Sequence, residues 1–322
     1  MQRLQYNKRQ RNRFVIALYL YSARRLSVSI IDVKGLTCDY GRGRGIFDLN
    51  FTVETGEVFG FLGPNASGKT TTLRHLMGFS KPQSGSCQIE GRDCFQSASV
   101  IQDTLGYLPG DITLFPEMSG RAYLSFMSKY RGMKNTGRAR ELIDRFELDI
   151  RQPIRKMSKG AKQKLALVCA FMHDPNILIL DEPTASLDLL MQHTFIDLIL
   201  EEKAKGKAIL MSSHRFSEVE KTCDRVAILK QGKLATVCSL EELRQTERRV
   251  YLITMENEEA AQALTHEQLQ ILSCEGRIVK VAVYRDLRSL LSILANYPVS
   301  TLDNVSQSLE EVFLHYYGGE DE

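Results

Sequence analysis

The chain has 322 residues, 43% hydrophobic and 25% charged, an ordinary globular composition that argues against a disordered protein. Its 42 basic and 39 acidic residues leave a net charge of +3, too balanced to argue for a nucleic-acid partner by itself. Seven cysteines, an odd number without C-x-x-C spacing, point to neither a disulfide framework nor a zinc cluster and fit a reducing cytoplasm, and the longest apolar run, Phe14 to Tyr21, is far short of the roughly 18 residues that span a bilayer.

In chain order, residues 1–27 come first, with seven basic residues, no acidic one, and a "FVIALYLYSA" centre that superficially resembles a secretory signal. We expect this extension to lie outside the working protein, on codon arithmetic. Arg24 and Arg25 can both be encoded by AGG, which together spell a bacterial ribosome-binding site, and Val28 by GTG, an alternative start. A membrane-surface anchor or a disordered tail are the alternatives.

From Ser29 to Glu57 apolar and polar residues alternate around the turn "YGRGRG", as in an antiparallel sheet. The strand candidate Glu57 to Leu62 leads into "GPNASGKTT", Gly63 to Thr71, and then the helix candidate "TLRHLMGF". Glycines let such a loop curl so that its N–H groups converge on phosphate oxygens, Lys69 can reach the β- and γ-phosphates, and the Thr70 hydroxyl can ligate Mg²⁺. The pattern turns helical from about Thr113 to Leu167 and includes "MSKGAKQKLAL", where a serine, a glycine and three lysines open an apolar helix. That start suits an anion; an ordinary solvated face would look the same.

At Asn176 the chain reads "NILILDEPTASLD". Four apolar residues suit a strand buried on both faces of a parallel sheet, which delivers Asp181 and Glu182 at its C-terminal end, where such folds place ligands. Asp181 would help hold Mg²⁺ in the outer shell, and Glu182 would polarise a water for attack on the γ-phosphate. A helix from Asp188 to Lys205 separates this strand from "KAILMSSH", which ends at His214, a candidate contact for the γ-phosphate and the attacking water. Arg225 to Val237 suits a hairpin, and "SLEELRQ" a helix capped by Ser239 with Glu242 at its third position. After Glu247 a module of about 75 residues is expected to run strand, helix, strand, helix and final helix, too small to be presumed independent.

These motifs, in this order between Ile30 and Ser239, resemble those of an ATP-binding cassette (ABC) ATPase. "GPNASGKTT" resembles the Walker A loop, "ILILDE" the Walker B strand, "ASLD" the D-loop and "SSH" the switch histidine. The resemblance implies ATP and Mg²⁺ as cofactors. Gly63, Pro64, Asn65, Ala66, Ser67, Gly68, Lys69, Thr70 and Thr71 would bind the nucleotide, together with Asp188 of the D-loop and Tyr40, which would stack on adenine. Thr70 and Asp181 would serve the metal, Glu182 and His214 catalysis. Met157, Ser158, Lys159, Gly160 and Ala161 stand where the family carries LSGGQ; Ser158 and Gly160 match it, Lys159 and Ala161 depart. In the family this segment binds the γ-phosphate of ATP held by another cassette, which implies a dimer. A second departure is "LGYLPGD", where the family's usual glutamine is replaced by Gly110 with Asp111 next, so that Asp111 would serve the metal or simply face solvent.

The implied fold is α/β: a P-loop NTPase cassette with a mostly parallel core sheet, an antiparallel β subdomain and a helical signature subdomain at about 113–167. The cassette would span 28–247 and a small C-terminal α/β appendage 248–322, whose ending "SLEEVFLHYYGG" resembles the C-terminal extensions of ATPase subunits from bacterial type-2 exporters. The implied function is the ATP-hydrolysing subunit of an ABC transporter, an exporter, with a second cassette and a separate transmembrane permease as partners, at the cytoplasmic face of the membrane, and no nucleic acid. The alternative is a cassette ATPase acting on ribosomes or nucleic acid. That class often joins tandem cassettes by a linker, or carries long coiled coils or zinc modules, features this sequence lacks.

Overall fold

The alternation that begins at Ser29 builds the first sheet. In the computed structural model, which describes residues 29–245, 249–283 and 287–306, strand β1 (Ser29–Asp39) pairs antiparallel with β2 (Gly45–Glu54), Ile31 opposite Val53 and Val33 opposite Phe51. On its other edge β1 pairs with β4 (Ser84–Ile89), which turns back into β5 (Arg92–Asp93), giving the order β2-β1-β4-β5. Ile31 and Val33 are buried and their neighbours Asp32 and Lys34 are not, the signature of a sheet with one covered face. The two-residue turn between β4 and β5, Glu90 and Gly91, has φ of 51° and 72°, the paired positive values that a tight hairpin demands.

Strand β3 (Val58–Leu62), buried throughout, leads through the phosphate loop into helix α1 (Lys69–Leu76). The chain divides into two compact units, which among the described residues comprise 29–58 with 70–211, and 59–69 with 212–306.

The first unit continues with α2 (Ala98–Thr104), β6 (Leu105–Leu108), and the helices α3 (Gly120–Tyr130), α4 (Gly137–Arg145) and α5 (Lys159–Phe171). Then come β7 (Ile177–Asp181), α6 (Leu189–Ala204) and β8 (Ala208–Ser213). The strand order is β8-β7-β6, with β6 and β7 parallel and Leu105 opposite Ile177. All five residues of β7 are buried, as expected of a strand covered on both faces. The helix expected from Asp188 to Lys205 is α6, with those two residues as its caps. The helical region opens later than its sequence pattern, since residues 113–118 form a loop that ends in the Ser119 cap, whose side chain accepts from Ala122 N at 3.2 Å. Ion pairs bind α4 to α6: Arg145 chelates Glu201 at 2.6 and 2.9 Å, and Arg138 meets the buried Glu202, which also receives Lys205 and Lys207. A buried carboxylate needs this much compensation.

Between α5 and β7, His173 Nε2 lies 3.2 Å from the Leu105 carbonyl oxygen. Burial, assisted by the charge of Arg131, pushes its imidazole down to about 4 from the ordinary 6.5. Between those values the unfolded chain takes up a proton that the folded chain refuses, so stability falls as pH drops from about 6.5 towards 4. Melting at pH 7 and pH 5 should show a larger loss for the native chain than for His173→Gln; equal losses would reject the assignment.

In the second unit the order is β10-β9-β3, with β9 (Arg225–Lys230) parallel to β3 and β10 (Lys233–Ser239) antiparallel to β9. Helix α7 (Phe216–Thr222) precedes β9. Helix α8 (Leu240–Gln245) follows β10 and carries the expected capping box: Glu242 N donates to Ser239 Oγ and Ser239 N to Glu242 Oε2, at 3.0 and 2.8 Å.

Beyond residue 248 the unit runs β11 (Arg249–Met255), α9 (Glu258–Leu264), β12 (Gln270–Glu275), β13 (Ile278–Val283), α10 (Leu287–Leu294) and β14 (Val299–Ser306). The order β12-β13-β11-β14, antiparallel throughout, is the ferredoxin-like split β-α-β arrangement. Its core packs Ile253, Met255, Val279 and Val281 against Ala261, Leu264 and Leu290. Two strands therefore add to the expected element order, β12 and β14. Both lie at sheet edges and are largely exposed, so they lack the apolar alternation that marks a strand in sequence. The expected final helix and the extension 1–27 lie outside the described residues.

Candidate nucleotide site

In the second unit the phosphate loop closes on itself. A Cβ at Gly63 would lie 2.4 Å from Ser67 Oγ and 2.7 Å from the Leu229 carbonyl oxygen, so only glycine fits. The Lys69 side chain is buried, and its Nζ donates to the carbonyl oxygens of Gly63 at 2.6 Å and Pro64 at 3.0 Å, which folds the ammonium back over the loop. Gly232 N donates to Ser67 O at 3.0 Å and ties the loop to the β9–β10 turn.

Ala66 has φ of 64°, a left-handed backbone that costs a residue with a Cβ about 1–2 kcal/mol. Ala66→Gly is expected to recover about 1 kcal/mol, raising the melting temperature by roughly 2–4 °C. An unchanged or lower melting temperature would show that the loop bears no such strain. His214 is exposed one residue beyond β8. The turn that presents it is fixed by Ser213, whose Oγ donates to Glu218 Oε2 at 2.8 Å and accepts from Arg215 N at 3.0 Å.

In the first unit Thr70, in the first turn of α1, donates through Oγ1 to Asp181 Oδ2 at 2.7 Å, joining residues 111 apart in sequence. Asp181 is 1% exposed. Glu182 follows with φ of 47°, a sharp departure from the strand, and its carbonyl accepts from Ala185 N at 3.2 Å. Such strain in a residue with a Cβ persists only where its surroundings enforce it.

Helix α5 reaches the same turn. Gln163 is buried in α5, and its Nε2 donates to the Pro183 carbonyl at 2.7 Å. Ser158 caps α5 by accepting from Ala161 N at 3.1 Å, and a Cβ at Gly160 would lie 2.9 Å from the Ser186 carbonyl oxygen. Asp188 caps α6, accepting from Met191 N at 3.0 Å. Tyr40 is 59% exposed, an aromatic face open to solvent. Partial burial raises its phenol, assisted by Cys38, while Arg74 and Thr71 pull the other way. Tyr107 on β6 is pushed up to about 12 by burial first and then by the charge of Asp181, which sets its phenol near that carboxylate.

Gln163 and Tyr107 did not emerge from the motifs. A signal existed for Gln163: with Leu167 and Ala170 it keeps the helical spacing of the buried face, where a glutamine needs a partner. Tyr107 had none.

A phosphate loop between a buried strand and a helix, with the helix's first hydroxyl bonded to the carboxylate that ends another buried strand, defines a P-loop nucleotide triphosphatase. A family model described as ABC transporter matches residues 46–185. YhcH, an uncharacterized ABC transporter ATP-binding protein of Bacillus subtilis (strain 168), is 30% identical over 90% of this chain and 96% of its own length. The chain therefore belongs to the ATP-binding proteins of the ABC transporter family, and is an ATPase coupled to transmembrane transport.

The Nod factor export ATP-binding protein I of Burkholderia orbicola (strain AU 1054) is 33% identical over 65% of this chain and 70% of its own. A solved structure described as the ATP-binding subunit of an ABC transporter matches with 30% identity and a TM-score of 0.62, over 67% of this chain and 92% of that one. The fold is thus a P-loop cassette with a mostly parallel core sheet and antiparallel companions.

Proposed function

We propose that the chain is the ATP-binding and ATP-hydrolysing subunit of an exporter, working as a pair of cassettes with a separate membrane subunit at the cytoplasmic face of the membrane. The observation that carries the proposal is the Thr70 to Asp181 hydrogen bond, which links the helix after the phosphate loop to the end of the Walker B strand. A hydroxyl and a carboxylate are hard oxygen donors, and they suit Mg²⁺. When bound, Mg²⁺ would neutralise charge on the phosphate oxygens.

The loop N–H groups and Lys69 would hold the phosphates, and Tyr40 would offer its ring to the base. Glu182 would accept the proton of the attacking water, and His214 would orient that water against the γ-phosphate. Ser158 and Gly160 would meet the γ-phosphate of ATP held by the second cassette, identical or related. Binding of two ATP molecules would close the pair and hydrolysis reopen it, moving the membrane subunit. Among the described residues no helix is long and apolar enough to cross a membrane. Export rather than import is supported by the Burkholderia relative, whose name assigns it to Nod factor export. No relative or structure reported above favours the ribosome or nucleic-acid alternative.

The test is to isolate the chain from detergent-solubilised native membranes and identify what accompanies it. A polypeptide with several apolar stretches of about twenty residues is expected; recovery with ribosomes instead would overturn the proposal.

A further inference from the structure

Two buried thiols meet at the edge of the first sheet. In the β4–β5 hairpin Gln88 lies opposite Asp93 and Ile89 opposite Arg92, so Cys87 and Cys94 are the next opposed pair. Cys94 N donates to the Cys87 carbonyl oxygen at 3.0 Å, which carries that register one step beyond β5. Opposed residues of an antiparallel pair project to one face with Cα atoms about 4.5–5.5 Å apart, inside the roughly 4.4–6.8 Å that a disulfide spans. Both cysteines are free thiols, 1% and 0% exposed. A hydrogen bond from Cys94 draws the Cys87 thiol below its ordinary value, against the opposing effect of burial, and the same bond together with burial pushes Cys94 up. Cys87 is therefore the member that ionises first.

The backbone around the pair is held on both sides. Cys87 Sγ donates to the His75 carbonyl oxygen, in the last turn of α1, at 3.6 Å. Asp93 Oδ1 accepts from Phe95 N at 3.0 Å and Gln96 N at 2.8 Å, and a Cβ at Gly78 would lie 2.3 Å from the Cys94 carbonyl oxygen. The sulfurs thus start where a bond between them needs little movement of the chain. Access comes from the hairpin tip. Strand β5 is two residues long and forms the sheet edge, and Glu90, Gly91 and Arg92 are exposed, so this edge opens without unfolding the rest.

We infer that Cys87 and Cys94 form an oxidative modification site, at which a peroxide converts the two thiols reversibly into an intrachain disulfide. The Cys87 thiolate attacks one oxygen of hydrogen peroxide: an S–O bond forms, the O–O bond breaks, and the departing hydroxide becomes water with the proton Cys87 gave up. The Cys94 sulfur then attacks the Cys87 sulfur. The S–S bond forms, the S–O bond breaks, and hydroxide leaves as water with the Cys94 proton. The thiols lose two electrons, and the peroxide is reduced to water. By resolving the sulfenic acid, Cys94 stops Cys87 short of the irreversible sulfinic acid. In a reducing compartment the pair rests as thiols and the disulfide is transient.

The test uses the native full chain, reduced, exposed to hydrogen peroxide while folded, then unfolded in N-ethylmaleimide and cut with trypsin. Cleavage after Arg92 puts the two cysteines on separate peptides, so only a disulfide keeps them together. The expected result is a peptide pair joined through Cys87 and Cys94, about 2 Da lighter than its thiol forms and released by dithiothreitol. Maleimide on both cysteines, once the exposed Cys274 has been oxidised, would overturn the inference. So would linkage of either one to a different cysteine as the main product. Cys94→Ala tests the order of events: dimedone should trap a sulfenic acid at Cys87, and longer exposure should carry it to the sulfinic acid that the native chain avoids. An unmodified Cys87 in that variant would overturn its role as the attacking thiol. Should Cys94→Ala fail to fold, Cys94→Ser gives the same readings, and the linkage in the native chain decides the site in either case.

Discussion

Glu182→Gln is expected to cut ATP turnover at least about a hundredfold, the lower end of what removing a general base costs, while ATP binding persists. The amide has the shape of the carboxylate and lacks its basicity. It also inherits the same backbone, with φ of 47°, so the substitution leaves the strained turn after β7 as it was. The neighbouring bonds are equally indifferent to it, since Gln163 Nε2 holds the Pro183 carbonyl and Thr70 holds Asp181. Purified protein with contaminating ATPases excluded gives the answer in a steady-state assay. Turnover close to that of the native chain would remove Glu182 from the catalytic role. Lys69→Ala is the contrasting case: it should weaken nucleotide binding itself, because the buried ammonium already gathered over the loop by Gly63 and Pro64 is lost.

The strand, loop and helix around Gly63 to Thr71 and the buried strand that ends at Asp181 were legible because their patterns are contiguous. Gly63 to Thr71 and Ile177 to Glu182 each carry a complete pattern of residue types within a few positions. The Ser239 cap was legible for the same reason, since it acts on an N–H group three residues away. What escaped depends on approach between distant segments. Gly110 gives no hint in sequence that its backbone lies close to Asp181, 71 positions later. Tyr107 is near that carboxylate only because β6 and β7 pair in parallel register. Strands β12 and β14 were missed for another reason. A largely exposed edge strand buries few side chains, so its sequence has no apolar face to display.

Ser158→Arg is expected to abolish ATP-induced pairing of cassettes while each chain still binds ATP. The reasoning begins with what Ser158 does in its own chain. Its oxygen accepts from Ala161 N at 3.1 Å and so caps α5, which directs the unpaired N–H groups and the positive end of that helix outward. A γ-phosphate presented by a second cassette would meet those groups and the bare backbone of Gly160, where a Cβ would already crowd the Ser186 carbonyl. Arginine puts a long side chain in that place and removes the cap, so two effects must be told apart. Ser158→Ala removes the cap alone, at a cost of about 1 kcal/mol to the helix; it should weaken pairing without ending it. The comparison is made in the Glu182→Gln background, where ATP persists, by sedimentation velocity with and without nucleotide. Native-like dimer in Ser158→Arg would refute the proposed contact across the pair. Equal loss in Ser158→Ala and Ser158→Arg would assign the effect to the cap instead.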